Sequence, residues 1–348
     1  MAPQIALVDP MCKTGYGPID LAKGVLGGTE ATVLRVAARL KGRVNVSHYQ
    51  AGRREAEATE AGQMHPLEDT ASMGRADGIV VINSWKLAVR MRKSHPGVPI
   101  HVWLHVFPGR HNRPMGRALR MADIGLICVS KSHAEQLGTF LGAGPQPRIT
   151  WIYNPIADNL APRPVSRDPN LLLFCSSPHK GLQEVFERFT KLRREMPQLR
   201  LAVADPGYLR WNAGPPPENA VFLGHLTHEA LIAQMRQALC LFYAQTGFAE
   251  TFGLVMAEAS AVGTPVLAHR GLGANNEILN ADFQGGADGV IDCTDPVAIA
   301  STIHRWQASP PSPTANPEFR LKSVARRWER LLSGGMQACD FHPAMQEA

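Results

Sequence analysis

No apolar run among the 348 residues approaches the roughly 20 that a membrane-spanning helix needs. The opening MAPQIALVDP has no basic n-region and no long apolar stretch, so it reads as a first strand and a cytoplasmic protein is expected. Cysteine is sparse: Cys12, Cys128, Cys175, Cys240, Cys293 and Cys339 stand far apart with no C-x-x-C. Zinc-site spacing is therefore missing, and reduced, mostly buried thiols are expected rather than a disulfide framework. No D-x-D occurs, so a paired-aspartate metal site for a nucleoside diphosphate has no obvious ligands. No G-x-G-x-x-G follows the first strand; Gly15, Gly17, Gly24, Gly27 and Gly28 lack that spacing, which disfavours a dinucleotide-dependent dehydrogenase. Acidic side chains are short in one half only. Residues 1–160 hold 19 basic and 12 acidic side chains, against 17 and 18 in the remainder, so the net charge of +6 belongs to the N-terminal half. Such an excess points to an anionic partner: a phosphorylated substrate, a membrane surface or nucleic acid. Nucleic acid is not expected, because no helix-turn-helix, RNP or zinc pattern interleaves with the basic residues.

What is present is enough for large cores. Hydrophobic residues make up 45% and charged residues 19%, with no disorder signature and no repeats. At about 150 residues per domain the length suggests two domains. In the first half, strands are expected at Ile5–Val8, Val44–Tyr49, Gly78–Ile82, Ile100–His105, Gly125–Val129 and Ile149–Tyr153, with helical patterns such as Gly28–Leu40 and Ser84–Lys93 between them. This alternation predicts an α/β protein with parallel sheets covered on both faces. It breaks at the proline-rich Asn154–Asp168 and then resumes. The expected organisation is an N-terminal domain over 1–156 and a C-terminal domain over 157–315. A basic helix near Glu318–Leu332 follows, in a 316–348 segment that packs back toward the first domain. Two doubly wound domains would face each other across a central ligand cleft.

The stretch Phe248–Ala268 carries the most chemistry. Glu250 and Glu258 stand eight positions apart, the first in a loop and the second two turns into a helix. The amides of Thr251–Leu254 are expected to open that helix, and free N–H groups at a helix N-terminus suit a diphosphate. Carboxylates beside such a site accept from hydroxyls. A sugar and a ribose beside a diphosphate describe a nucleotide sugar.

E-x7-E followed by A-x-x-G-T-P-V is similar to the signature of GT-B glycosyltransferases of the family-4, retaining type. Other segments resemble the family in the same order: Leu26–Glu30 the N-terminal G-G-x-E loop, Ala122–Ser130 a D-x-v-i-x-v-S strand, and Tyr153–Ile156 the entry to the linker. Ser176–Gly181 resembles the phosphate-lysine loop, and Val221–His225 with Leu241–Tyr243 the central strand-helix-strand. The resemblance implies that Lys180 pairs with the donor diphosphate, that Glu250 contacts the transferred sugar, and that His105 faces that sugar. It implies that Glu258 holds the ribose, and that Thr251, Phe252, Gly253 and Leu254 offer backbone contacts. It implies phosphate contacts from Ser176 and Ser177, and close backbone approach at Gly27 and Gly28. Many relatives carry an arginine where Cys175 stands here, and Arg270 is a conceivable substitute. The implied reaction moves a sugar from a nucleoside-diphosphate sugar to a hydroxyl of a glycan, lipid-linked glycan or small molecule. Configuration would be retained, no cofactor beyond the donor and no metal would be used, and the setting would be cell-envelope polysaccharide or glycoconjugate synthesis. A sugar-nucleotide epimerase or hydrolase of the same fold, and a non-catalytic nucleotide-binding module, are the alternatives.

Two basic clusters account for the N-terminal charge. One is Lys86, Arg90, Arg92 and Lys93, on a helix with Trp85; the other is Arg110, His111, Arg113, Arg117 and Arg120, just after His105. The first is either a solvated basic face or a helix facing an anionic membrane, and the second either a solvated basic face or a phosphate contact for an approaching acceptor.

Overall fold

The computed structural model describes residues 2–144, 146–204, 216–281 and 288–334. The expectation for Cys339 falls outside these residues. The chain divides into two compact units. The N-terminal unit comprises Met1–Ala22, Leu26–Pro155 and Arg320–Ala348; the C-terminal unit comprises Lys23–Val25 and Ile156–Phe319.

The N-terminal unit contains β1 (Gln4–Asp9), α1 (Pro18–Lys23, its last residue assigned to the other unit), α2 (Gly28–Leu40), β2 (Asn45–Gln50), β3 (Glu57–Thr59), β4 (Gly62–Pro66) and β5 (Gly78–Ile82). It continues with α3 (Trp85–Ser94), β6 (Ile100–Trp103), α4 (Met115–Met121), β7 (Ile124–Cys128), α5 (Lys131–Leu141) and β8 (Ile149–Trp151). The eight strands run in the order β3-β4-β2-β1-β5-β6-β7-β8, parallel except for the β3–β4 hairpin. That hairpin is absent from the sequence expectation. EAT and GQMHP are short, polar and partly exposed, so neither carries the apolar run that marks the buried strands. One face of the sheet buries Ala88 and Met91 of α3, Met115 and Leu119 of α4, and Ala134 and Leu137 of α5 in a common core.

The C-terminal unit contains β9 (Asp168–Phe174), α6 (Leu182–Leu192), β10 (Arg200–Ala204), β11 (Ala220–Gly224), α7 (His228–Gln237), β12 (Ala238–Tyr243), α8 (Leu254–Ala261), β13 (Val266–His269), α9 (Asn275–Ile278), β14 (Val290–Ile291) and α10 (Pro296–Ala308). Its six parallel strands run β11-β10-β9-β12-β13-β14. A final helix, α11 (Leu321–Leu332), returns to the N-terminal unit. Its Val324, Ala325, Trp328 and Leu331 are buried, and the Trp328 ring lies 4.4 Å from that of Trp103. Glu329 accepts from Arg43 at 2.8 Å.

Strand order reverses between β1 and β5 in one unit and between β9 and β12 in the other. In an open parallel sheet, the loops leaving the two strands at such a reversal splay to opposite faces and leave a crevice at their carboxyl ends. Lys180 and Glu250 of the C-terminal unit lie on those two loops.

Candidate functional site

β9 delivers the Ser176–Lys180 loop, and β12 delivers Tyr243 and the loop that carries Glu250. The two strands pair, with Leu173 opposite Leu241, and the Phe174 and Tyr243 rings stack at 5.7 Å. This pairing joins side chains 70 positions apart. Lys180 Nζ donates to Glu250 Oε1 at 2.8 Å and to Oε2 at 3.1 Å. Tyr243 donates its hydroxyl to Glu250 Oε1 at 2.9 Å. The lysine also sits 5.0 Å from the centroid of the Phe248 ring. Glu250 is buried, and a carboxylate out of water requires such partners. Burial, then the charge of Glu250, holds the Tyr243 phenol well above its usual pKa, so it stays a hydrogen-bond donor. The resemblance assigns Lys180 and Glu250 to different parts of a donor; here they also hold each other.

The Glu250 loop is fixed on both sides. Gln245, fully buried, accepts from the Phe248 amide at 2.7 Å and donates to its carbonyl at 2.8 Å. Glu250 O accepts from the Ala274 amide at 2.9 Å. Gly273 makes that approach possible, because a Cβ there would run into the Glu250 carbonyl oxygen, and its φ of +56° lies in the left-handed region.

The helix after this loop begins later than the sequence suggests. Gly253, with φ +89°, is the N-cap, and α8 starts at Leu254. Gly253 O accepts from the Met256 and Ala257 amides. The first free amides of the helix are therefore those of Leu254 and Val255. Thr251 and Phe252 precede the helix and do not open it. Phe252 is buried with its ring against Phe319 at 5.1 Å. The left-handed turn at Gly253, which glycine adopts without strain, moves the helix start forward.

Glu258 lies on α8, buried at 5% exposure, and its Oε1 is 2.8 Å from His228 Nε2. His228 is the first residue of α7, and sequence reasoning gave it no role. Glu258 is thus tied to α7 and not to the Lys180–Glu250 cluster. Ser177 is buried and its carbonyl accepts from the Lys180 amide at 2.9 Å. The Ser176 side chain hydrogen-bonds Tyr243. Cys175 is buried, and burial raises its thiol pKa far above the ordinary range. The guanidinium of Arg270 donates to Val290 O at 2.6 Å, so it is engaged in joining the ends of β13 and β14.

In the N-terminal unit His105 lies two residues past β6, buried at 7% exposure. Its amide donates to Asn83 Oδ1 at 2.7 Å, and its ring packs 4.6 Å from Trp103. Burial, with a smaller contribution from the nearby His133, lowers the ring pKa to about 3, so the imidazole is neutral at physiological pH. Asn83 sits directly after β5, at the order reversal, with φ +54°. Gly27 is the N-cap of α2 with an ordinary φ of −68°. A Cβ on it would stand 2.7 Å from Glu30 Oε2, so the carboxylate of this chain already uses the space that suggested close ligand approach. Gly28 is the first residue of α2 and is not in the left-handed region.

Tyr243, Gln245, His228 and Gly273 are the members of the site that the sequence did not expose. Only Tyr243 left a signal: a phenol ending the otherwise apolar run ALCLFY requires a polar partner when buried.

Residues 161–318, nearly the whole C-terminal unit, match the family model described as glycosyl transferases group 1. No curated protein sequence matches the chain significantly. Among solved structures, the chain is similar to sucrose-phosphate synthase from Thermosynechococcus elongatus. That pair is 16% identical, with 95% of this chain and 98% of the other covered and a TM-score of 0.68. It is similar to Anabaena HepE in complex with UDP-glucose at 16% identity, 95% and 100% coverage and a TM-score of 0.69. It is also similar to the lipopolysaccharide outer core galactosyltransferase WaaB at 13% identity, 96% and 100% coverage and a TM-score of 0.66. The fold is that of GT-B glycosyltransferases, with two Rossmann-like parallel sheets.

Proposed function

We propose that this protein transfers a sugar from a nucleoside-diphosphate sugar to a hydroxyl acceptor, with retention of configuration and without a metal ion. The observation that carries the reading is the Lys180–Glu250–Tyr243 cluster. It stands at the strand-order reversal of a unit that matches a glycosyltransferase family model. A buried ion pair between a loop lysine and a loop carboxylate does no packing that an apolar pair would not do as well. Its position and its charge suit a ligand that brings both phosphate and hydroxyls.

In this reading the donor diphosphate draws Lys180 toward its oxygens, and the Leu254 and Val255 amides face the same negative charge with the positive end of α8 behind them. Positive charge at these points favours departure of the diphosphate. Glu250, released from Lys180 but still held by Tyr243, accepts from the sugar hydroxyls. Glu258, oriented by His228, accepts from the ribose. His105, neutral and buried, hydrogen-bonds the sugar without adding a charge. Retention follows a front-face route in which the leaving phosphate takes the acceptor proton. With lysine and helix amides carrying the developing charge, no cation is required of the protein.

The test is a thermal-shift panel of UDP, GDP, ADP, CMP and dTDP sugars, because a donor that binds the folded state raises its stability by mass action. Uridine nucleotides go first, since HepE has been solved with UDP and with UDP-glucose. One donor class should raise Tm, and Glu258→Ala should shrink the rise at the same donor concentration. A folded sample that responds to none of them would overturn the proposal.

A further inference from the structure

The segment from Ser84 to Ala122 contains eight Lys and Arg residues and no Asp or Glu. The structure sorts those eight. Arg92 is consumed internally: its guanidinium donates to the carbonyls of Ala122, His95, Val98 and Asp123 at 2.7–3.1 Å. It ties the end of α3 to the end of α4 and is not available to a partner. The sequence grouping of Arg92 with the surface cluster is corrected by these bonds.

The remaining seven are exposed, and all but Arg110 fall into two periodic stripes. On α3, Lys86, Arg90 and Lys93 fall at i, i+4 and i+7, opposite the buried Ala88 and Met91. Around α4, Arg113, Arg117 and Arg120 repeat the same spacing, opposite the buried Met115 and Leu119. The two helices cover the same face of the sheet; Trp85 of α3 donates to Asn112, in the turn before α4, at 2.9 Å, and Arg92 ties their far ends. Both basic stripes therefore look outward from one side of the N-terminal unit. Apolar side chains accompany them: Met121, at the end of α4, is 76% exposed, and Val106, in the loop before the second stripe, is 52% exposed.

We infer that this α3–α4 face docks on a bilayer surface rich in anionic phospholipid. Two basic stripes on helices that themselves carry no acid complement a sheet of phosphate headgroups. Exposed apolar side chains beside basic ones are what an interfacial contact uses and what a purely polar polyanion leaves idle. The inference does not depend on the transferase reading.

The test is flotation of the full chain with phosphatidylcholine vesicles, alone or with phosphatidylglycerol. The variants are K86E/R90E/K93E, R117E/R120E and M121S, with Arg92 left intact. The control is K191E/R194E, which reverses exposed charges in the C-terminal unit. The wild type should float with the anionic vesicles only, and more weakly as salt rises. The triple reversal should lower partitioning by about two orders of magnitude, and R117E/R120E by more than tenfold. M121S should lower it severalfold, and the control should leave it unchanged. If the triple variant fails to fold by circular dichroism, K86Q/R90Q/K93Q replaces it with the same expected direction. No flotation of the wild type, flotation of both reversal variants equal to that of the wild type, or a loss in the control as large as theirs would overturn the inference. So would binding to heparin or RNA without binding to anionic vesicles.

Discussion

Removing Lys180 strands the Glu250 carboxylate. In Lys180→Ala that carboxylate, 9% exposed at the side chain, keeps only the Tyr243 hydroxyl. Breaking a buried pair in this way costs about 3–5 kcal/mol. Here the lysine side chain is 25% exposed and one hydrogen bond survives, so about 2–3 kcal/mol is expected. Glu250→Ala is milder, about 1–2 kcal/mol, because the freed lysine turns toward water. The double variant should therefore cost less than the two singles together, with a coupling of about 1–2 kcal/mol. The assay is native-state hydrogen exchange of β9 and β12 amides, which reads the opening of the unit that holds the pair and leaves the other unit out. Additivity within about 0.5 kcal/mol would refute the pairing as an energetic feature. The same variants test the donor contact. A donor at 100 times its Kd should stabilise the wild type by about 2.7 kcal/mol. If Lys180→Ala gains as much, Lys180 does not touch the diphosphate.

Glu258→Ala should raise the donor Kd at least tenfold by calorimetry, and His228→Ala should raise it by less, since His228 only orients the carboxylate. Gly273→Ala should destabilise the Glu250 loop and lower activity, because the added Cβ meets the Glu250 backbone; an unchanged kcat/KM would contradict this. Arg92→Ala should cost about 2–4 kcal/mol by urea denaturation, whereas Arg90→Ala should stay within about 0.5 kcal/mol. The N-terminal unit should fail first in acid. His48, His101 and His133, lowered to about 4, and His105, lowered to about 3, are neutral when folded, mainly through burial. The unfolded chain takes up those protons below about pH 6.5. Stability is lost as pH falls from there, by about 1–2 kcal/mol per histidine at pH 5, and the loss levels off near the folded values. Asp9 and Glu30, raised by burial, work in the opposite sense, two groups against four. Hydrogen exchange at pH 7 and pH 5 that shows equal loss in both units would count against these assignments.

The sequence by itself determined the elements. Runs such as GIVVI and ALCLFY are too apolar to be anything but buried strands, and Gly28–Leu40 and Pro296–Ala308 have the bounds that their periodicity and caps require. The residue types at Glu250, Glu258 and Lys180 were legible as well, because a carboxylate beside a small-residue helix and a lysine at a strand end are local patterns. Partner choice was not local. Lys180 meets Glu250 because β9 and β12 are neighbours where the strand order reverses, and His228 meets Glu258 because α7 packs beside α8. Arg90 and Arg92 are indistinguishable as text. One is a surface charge and the other a brace with four carbonyl acceptors, a difference set by the turn between α4 and β7 and the loop between α3 and β6, whose carbonyls converge on one guanidinium. The scarcity of acid in the N-terminal half told of an anionic partner; only the packing of α3 on α4 turned that scarcity into a face. Short-range patterning fixes what each segment must bury, and the contacts that give a side chain its work are made between segments that only the fold brings together.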